Sequence, residues 1–157
     1  MTHEAEFFAK ATQTQKVRVS VRGICIDHDE ILLQKPVDNP NACYAFIGGK
    51  LEHGELMRDR LRMEFLEEFG LQVTDLAYCF VVENRFMVEG QIFHGLEHYY
   101  EVKVSSRNHI QREKHIAAHW IPITHLKQLD VRPLLVKNAV IEHKWHTIKH
   151  IEVPIVQ

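Results

Sequence analysis

A mixed β-sheet covered by helices on both faces, an α/β fold in one domain over residues 1–157, is the class this sequence predicts, and three observations predict it. Strand-like alternation recurs along the chain, beginning with Val17, Val19 and Val21 against Arg18, Ser20 and Arg22. An amphipathic stretch, with Met57, Leu61, Phe65 and Phe69 at i, i+4 spacing, falls between the third and fourth strand patterns. A further helical pattern comes near the end, over 131–143.

In chain order, residues 1–15 read as a short lead-in helix or frayed arm. Lys16–Ile26 is a strand, buried on both faces in its second half where the run Gly-Ile-Cys-Ile occurs. Asp27–Asp29 turn the chain into a second strand, Glu30–Lys35, so the two make a hairpin. Pro36 and Pro40 bracket a loop, and Tyr44–Ile47 form a short strand leading to Gly48 and Gly49. Paired glycines there allow close approach of a ligand or a positive φ. The long helix spans Leu56–Phe69, with Gly70 as a left-handed cap. Ala77–Phe86 and Gln91–Val104 read as a second hairpin, and 105–116 as a polar, basic surface loop. His119–Ile121 is a last short strand, followed by helical segments Thr124–Leu129 and Val131–His143, with Pro133 near the start of the second.

Composition excludes several function classes. The 157 residues suit one domain with a proper core, and 45% hydrophobic with 25% charged residues is ordinary for a globular chain. A formal net charge of -2 gives no general attraction to nucleic acid polymers. Cys25, Cys43 and Cys79 show no CxxC spacing and read as reduced thiols, and no apolar run is long enough for a membrane helix. The expectation is a cytoplasmic protein without membrane contact. There is no Walker loop, no G-x-G-x-x-G and no G-x-S-x-G. Among the 12 histidines, His143, His146 and His150 have helical spacing and His94 and His98 share a strand face, but neither set carries a zinc pattern.

The chemistry concentrates between Gly48 and Leu71, GGKLEHGELMRDRLRMEFLEEFGL. On a helix Glu64, Glu67 and Glu68 project together and repel one another unless a cation sits among them. Glu64 and Glu68 fall at the rim of the apolar stripe, where a rigid helix holds carboxylates as a hard divalent ion such as Mg²⁺ requires.

This segment resembles the signature of the Nudix hydrolases. Gly49, Glu55, Glu64, Phe65, Glu67, Glu68, Gly70 and Leu71 fall on the family pattern in register, in a box (49–71) covering about a seventh of the chain. Met63 stands where the family has Arg, and Ile47 where members commonly have Pro. The segment WIPITHLKQLDVRP also resembles the region that follows the box in many members. The resemblance implies an α/β/α sandwich and hydrolysis of a phosphoanhydride in a small molecule built as a nucleoside diphosphate linked to another group.

It further implies Glu64, Glu67 and Glu68 as metal ligands and base, with the Gly48 carbonyl as a further ligand and Mg²⁺, or Mn²⁺ in its place, as the ion. Glu55 would be the supporting carboxylate near the helix start. Many members add a strand carboxylate, here Glu97 or, second, Glu101, against which stands an ordinary solvated glutamate. Arg22, Lys35 and Lys50 are nominated for phosphate contacts, and Tyr44 either stacks on a base or packs in the core. Met63 cannot hold Glu67 as an arginine would, and Arg60, four residues before Glu64, is the substitute.

The alternatives are a catalytically weak nucleotide-sensing module and an interaction protein with a remnant box. No proline occurs from Asn41 through Ile121, so the proline that ADP-ribose-specific members carry after the box is absent, as is the array of the NADH type. Sugar nucleotides, triphosphates with damaged bases and dinucleoside polyphosphates stay open, as does a homodimer.

Overall fold

The computed structural model describes residues 2–155. Met1, Val156 and Gln157, which the sequence reading included in the domain, lie outside the described residues. Helix α1 (His3–Gln13) takes the lead-in segment as a helix, and Thr2 caps it by accepting a hydrogen bond from the Ala5 amide at 3.1 Å. Phe8 stands edge-on to Phe86 and Phe93, which anchors this helix to the sheet.

Strands β1 (Arg18–Asp27) and β2 (Glu30–Pro36) form the expected hairpin, turned by His28 and Asp29 with φ of 51° and 61°. Past the turn they diverge, and β3 (Tyr44–Lys50) pairs with both. It runs on through both glycines because Ser20–Gly23 of β1 supply partners for Ile47–Lys50. Strands β4 (Val73–Val88) and β5 (Gln91–Val104) are antiparallel over their length, and β5 lies parallel to β1, which makes the sheet mixed.

Several expectations change in the second half. The last strand is longer than read, β6 (Ile116–Pro122), because β2 offers it seven register partners. Ile123–Gln128 is a 3-10 turn. Val131 and Arg132 form β7 beside β3 instead of opening a helix, since a residue before proline is driven to extended backbone. Pro133 caps α3 (Leu134–Ile141), which stops short of His143, whose φ is 55°. His150–Glu152 add an unforeseen β8, parallel to β4. His143, His146 and His150 therefore share no helix.

The sheet order is β6-β2-β3-β1-β5-β4-β8. Helix α2 (Met57–Phe69) buries Leu61, Phe65 and Phe69 against Val21, Ile47 and Val102 on one face. Each of these phenylalanines is 0% exposed, so each contributes about 2–3 kcal/mol of apolar burial. On the other face Ile24, Phe46, Phe80 and Tyr99 pack with Leu126, Val136, Val140 and Trp145. The result is an α/β/α sandwich. Cys25, Cys43 and Cys79 are all free thiols, and among the described residues no helix is long and apolar enough to cross a membrane.

Candidate active site

The site is assembled where β3 meets α2. Gly70, at φ 65°, caps the helix by donating to the Leu66 carbonyl, while the Leu71 amide reaches Phe65 at 3.1 Å. That closure and the three buried side chains hold the carboxylate face rigidly against the sheet. Gly48 is buried in β3 opposite Arg22, and a Cβ there would lie 1.9 Å from the Val21 carbonyl oxygen. Neither Gly48 nor Gly49 has a positive φ, so close packing and not a left-handed turn explains the pair.

Gly49 has a specific reason to be glycine. A Cβ added there would meet Glu64 Oε1 at 2.2 Å, which no real contact tolerates. Gly49→Ala is therefore expected to leave a folded protein with Glu64 displaced and divalent-ion affinity lowered roughly tenfold, as for other groups that orient a ligand. Calorimetric titration with Mg²⁺ and Mn²⁺ checks this, and unchanged affinity would show that Glu64 contributes nothing to ion binding.

Arg60 occupies the centre of the helix surface. Its Nη1 lies 3.4 Å from Glu55 Oε1, its Nε 3.4 Å from Glu64 Oε1 and its Nη2 3.3 Å from Glu67 Oε2. One guanidinium thus touches both the residue before the helix and two of its acidic residues, at i+4 and i+7 on the same side. The side chain is only 15% exposed, which strengthens the attraction relative to a surface pair. Met63 is exposed and takes no part.

Glu68 is in a different situation. Burial, then the Glu64 charge and a hydrogen bond shared with Glu64, push its carboxyl up to about 8, with Arg22 opposing. Its Oε2 is buried without a hydrogen-bond partner. A half-buried carboxylate pair with an unsatisfied oxygen is a donor set that suits a hard divalent cation. Among the described residues, the ligand atoms of the partly buried Glu83 and the exposed His150 and Glu152, on β4 and β8, lie within 4.8 Å of one another, whereas those of Glu64, Glu67 and Glu68 form no group as close. Arg60 engages Glu64 and Glu67, and Glu68 shares its hydrogen bond with Glu64.

The shift has a consequence for the metal-free protein. The folded Glu68 binds its proton more tightly than an unfolded chain does, so this stabilisation is full below about 4.5, the ordinary value, and is lost as pH rises through about 8. Thermal unfolding in chelator is expected at progressively lower temperature between pH 5 and pH 8.5, and the slope should flatten in Glu68→Gln. An equally steep slope in that variant would place the titration elsewhere.

A second group of side chains stands on β1 and β5. Glu97, expected as a metal-side carboxylate or a solvated residue, is 6% exposed. It accepts from Asn84 Nδ2 at 2.7 Å and the Tyr99 hydroxyl at 3.1 Å, and Arg22 Nε lies 3.8 Å away. Arg22 also donates to the Phe46 carbonyl at 3.2 Å. Glu101 accepts from Trp145 Nε1 at 2.7 Å and faces His146, so it ties down the C-terminal segment.

Lys35 and Tyr44 belong to another neighbourhood. Lys35 donates to the Pro40 carbonyl and lies 5.0 Å above the Tyr44 ring, whose edge meets His119. Lys50 is exposed at the end of β3. Arg18, Asn84 and Tyr99 are not among the residues that the sequence singles out. The signal for Arg18 was present, because the alternation that marks β1 puts Arg18, Ser20 and Arg22 on one face.

An α/β/α sandwich that sets a carboxylate helix against a glycine strand defines a narrow class, and comparison with known proteins identifies it. Residues 15–147 match the family described as NUDIX domain, and the chain belongs to that family. Among solved structures, one of MutT from Aliivibrio salmonicida and Vibrio cholerae is similar at 24% identity and a TM-score of 0.63, over 82% of this chain and 99% of the other. MutT from Bacillus halodurans has 18% identity and a TM-score of 0.68, over 87% of each chain. A MutT NUDIX hydrolase from Burkholderia pseudomallei has 21% identity and a TM-score of 0.64, over 85% and 99%. At these identities the likeness shows the fold. No curated protein matches the chain. The family is one of hydrolases of nucleoside diphosphates linked to another group, small molecules handled generally with divalent metals.

Proposed function

We propose that this protein is a Mg²⁺-dependent nucleotide pyrophosphohydrolase that cleaves a phosphoanhydride in a nucleoside diphosphate linked to another group. The observation that carries the reading is the Arg60 fork, which ties together Glu55, Glu64 and Glu67 although the box arginine is replaced by Met63. Orientation of the carboxylates, the one function that Met63 removes, has another source.

Glu64, Glu67, Glu68 and the Gly48 carbonyl would hold the ion, with Mn²⁺ as a substitute. When bound, it supplies Lewis-acid polarisation of phosphoryl oxygens and a lowered pKa for its water. Arg60 keeps Glu64 and Glu67 turned toward the site, and Gly49 leaves space for Glu64. One of the three glutamates takes the proton of the attacking water on a carboxylate oxygen. Arg22 stabilises charge on the phosphate from the sheet side, and Lys50 meets the substrate from the end of β3. Lys35 and Tyr44 are assigned to the other part of the substrate, since their contacts lie toward Pro40 and His119.

We place the protein in the cytoplasm as a single domain acting on a nucleotide, alone or as a homodimer. Its three free thiols support that compartment. The test is phosphate or pyrophosphate-bond release from sugar nucleotides, damaged-base triphosphates and dinucleoside polyphosphates, with Mg²⁺ and with EDTA. Metal-dependent turnover of one class establishes the enzyme and names its substrate. Silence in the native chain with activity gained by Met63→Arg favours the nucleotide-sensing reading, and silence of both variants overturns the hydrolase assignment.

A further inference from the structure

Arg18 and Arg22 lie on one face of β1 with Ser20, which is 2% exposed, between them. On the parallel neighbour β5 the register sets Gly95 beside Arg18, Glu97 beside Ser20 and Tyr99 beside Arg22. Glu97 neutralises Arg22, which also has the Phe46 carbonyl. Among the described residues the Arg18 charge has no such partner.

Its guanidinium carbon sits 4.7 Å over the ring of Phe7, from α1, and its Nε is buried without a hydrogen bond. Burial, then repulsion from Arg22, lowers its affinity for a proton, while Glu52, Glu64 and Glu97 pull the other way without forming an ion pair with it. A guanidinium held over a ring by cation–π attraction does not use up its N–H donors, which remain free for a bidentate acceptor. Two partly buried arginines on one face, one of them with an unsatisfied donor, are best relieved by an anion with several acceptor oxygens.

We infer that Arg18, held by Phe7, binds a phosphoryl group of the nucleotide, and that Glu97 is a positioning residue that fixes Arg22 beside it. The inference rests on the hydrolase reading for the identity of the anion. It moves Glu97 from the metal side to the phosphate side, because Asn84, Tyr99 and Arg22 already surround both of its oxygens.

The probe is inorganic pyrophosphate, titrated calorimetrically in Mg²⁺ into the native protein and its variants. Arg18→Ala should weaken binding roughly tenfold, the size of one lost charge-assisted hydrogen bond, and Arg18→Lys, which keeps the charge and loses the fork, should fall between. The exposed Lys127→Ala controls for simple loss of charge and should bind as the native chain does. Glu97→Gln should weaken binding in the native background and add nothing in Arg22→Ala, a non-additivity that general destabilisation would not produce.

Native affinity in both Arg18 variants, or no saturable binding by the native protein, would overturn the assignment of Arg18. Additive losses would overturn that of Glu97. The two readings fail separately: pyrophosphate binding that depends on Arg18 without nucleotide turnover sinks the hydrolase and keeps the subsite, whereas turnover with affinity independent of Arg18 does the reverse.

Discussion

Glu68→Gln is expected to reduce metal-dependent nucleotide turnover on the order of 10³-fold while leaving the protein folded. The carboxyl is partly buried, its Oε2 has no partner among the described residues, and burial with the neighbouring Glu64 raises its affinity for a proton. Replacing one oxygen by an amide removes a negative ligand atom at the place where burial has made charge most costly, and therefore where a cation is most strongly favoured. The substitution is nearly isosteric, so Phe65 and Phe69 keep their packing. In chelator at pH 8 the variant should unfold at the same or a higher temperature than the native chain, because a buried carboxylate no longer has to ionise. The pair of measurements separates chemistry from folding. Full turnover in a folded Glu68→Gln would remove Glu68 from the machinery.

Arg60→Ala should lower turnover and divalent-ion affinity together by roughly 10–100-fold. Three carboxylates lose their common partner at once, and Glu55, whose Oε2 is already buried and unpaired, is left with none. The informative variant is the double one. Met63 is four residues before Glu67, so an arginine at 63 can reach Glu67 along the helix but cannot reproduce the contact with Glu55. Met63→Arg placed on Arg60→Ala should therefore restore part of the activity, and on the native background it should change turnover little. If Arg60→Ala matches the native chain in both assays, the fork is a surface ion-pair network of no consequence, as many are.

The carboxylate helix was legible because everything it depends on is local. The i, i+4 ladder, the cap at Gly70 and the shared side of Glu64, Glu67 and Glu68 follow from helical geometry alone, and so does the proximity of Arg60 to Glu64. The first hairpin was equally clear, since its register follows from adjacent residues and a two-residue turn. Reading failed where strand formation depended on a distant partner. Strand β4 begins at Val73 instead of Ala77 because Val104 and Lys103 extend its pairing, although Thr74 and Asp75 are exposed and polar. β7 and β8 are two and three residues long and exist only beside β3 and β4.

The same division holds for the site. Residue type and spacing by themselves determined the acidic helix, the glycine strand and the mixed α/β class, because each is a property of a short segment. Only the tertiary structure decided that Glu64 lies against Gly49, that Glu97 is a partnered residue beside Arg22, and that Phe7 covers Arg18. Those contacts join strands and helices from separate parts of the chain. Their existence depends on sheet register and layer packing, which no local pattern encodes.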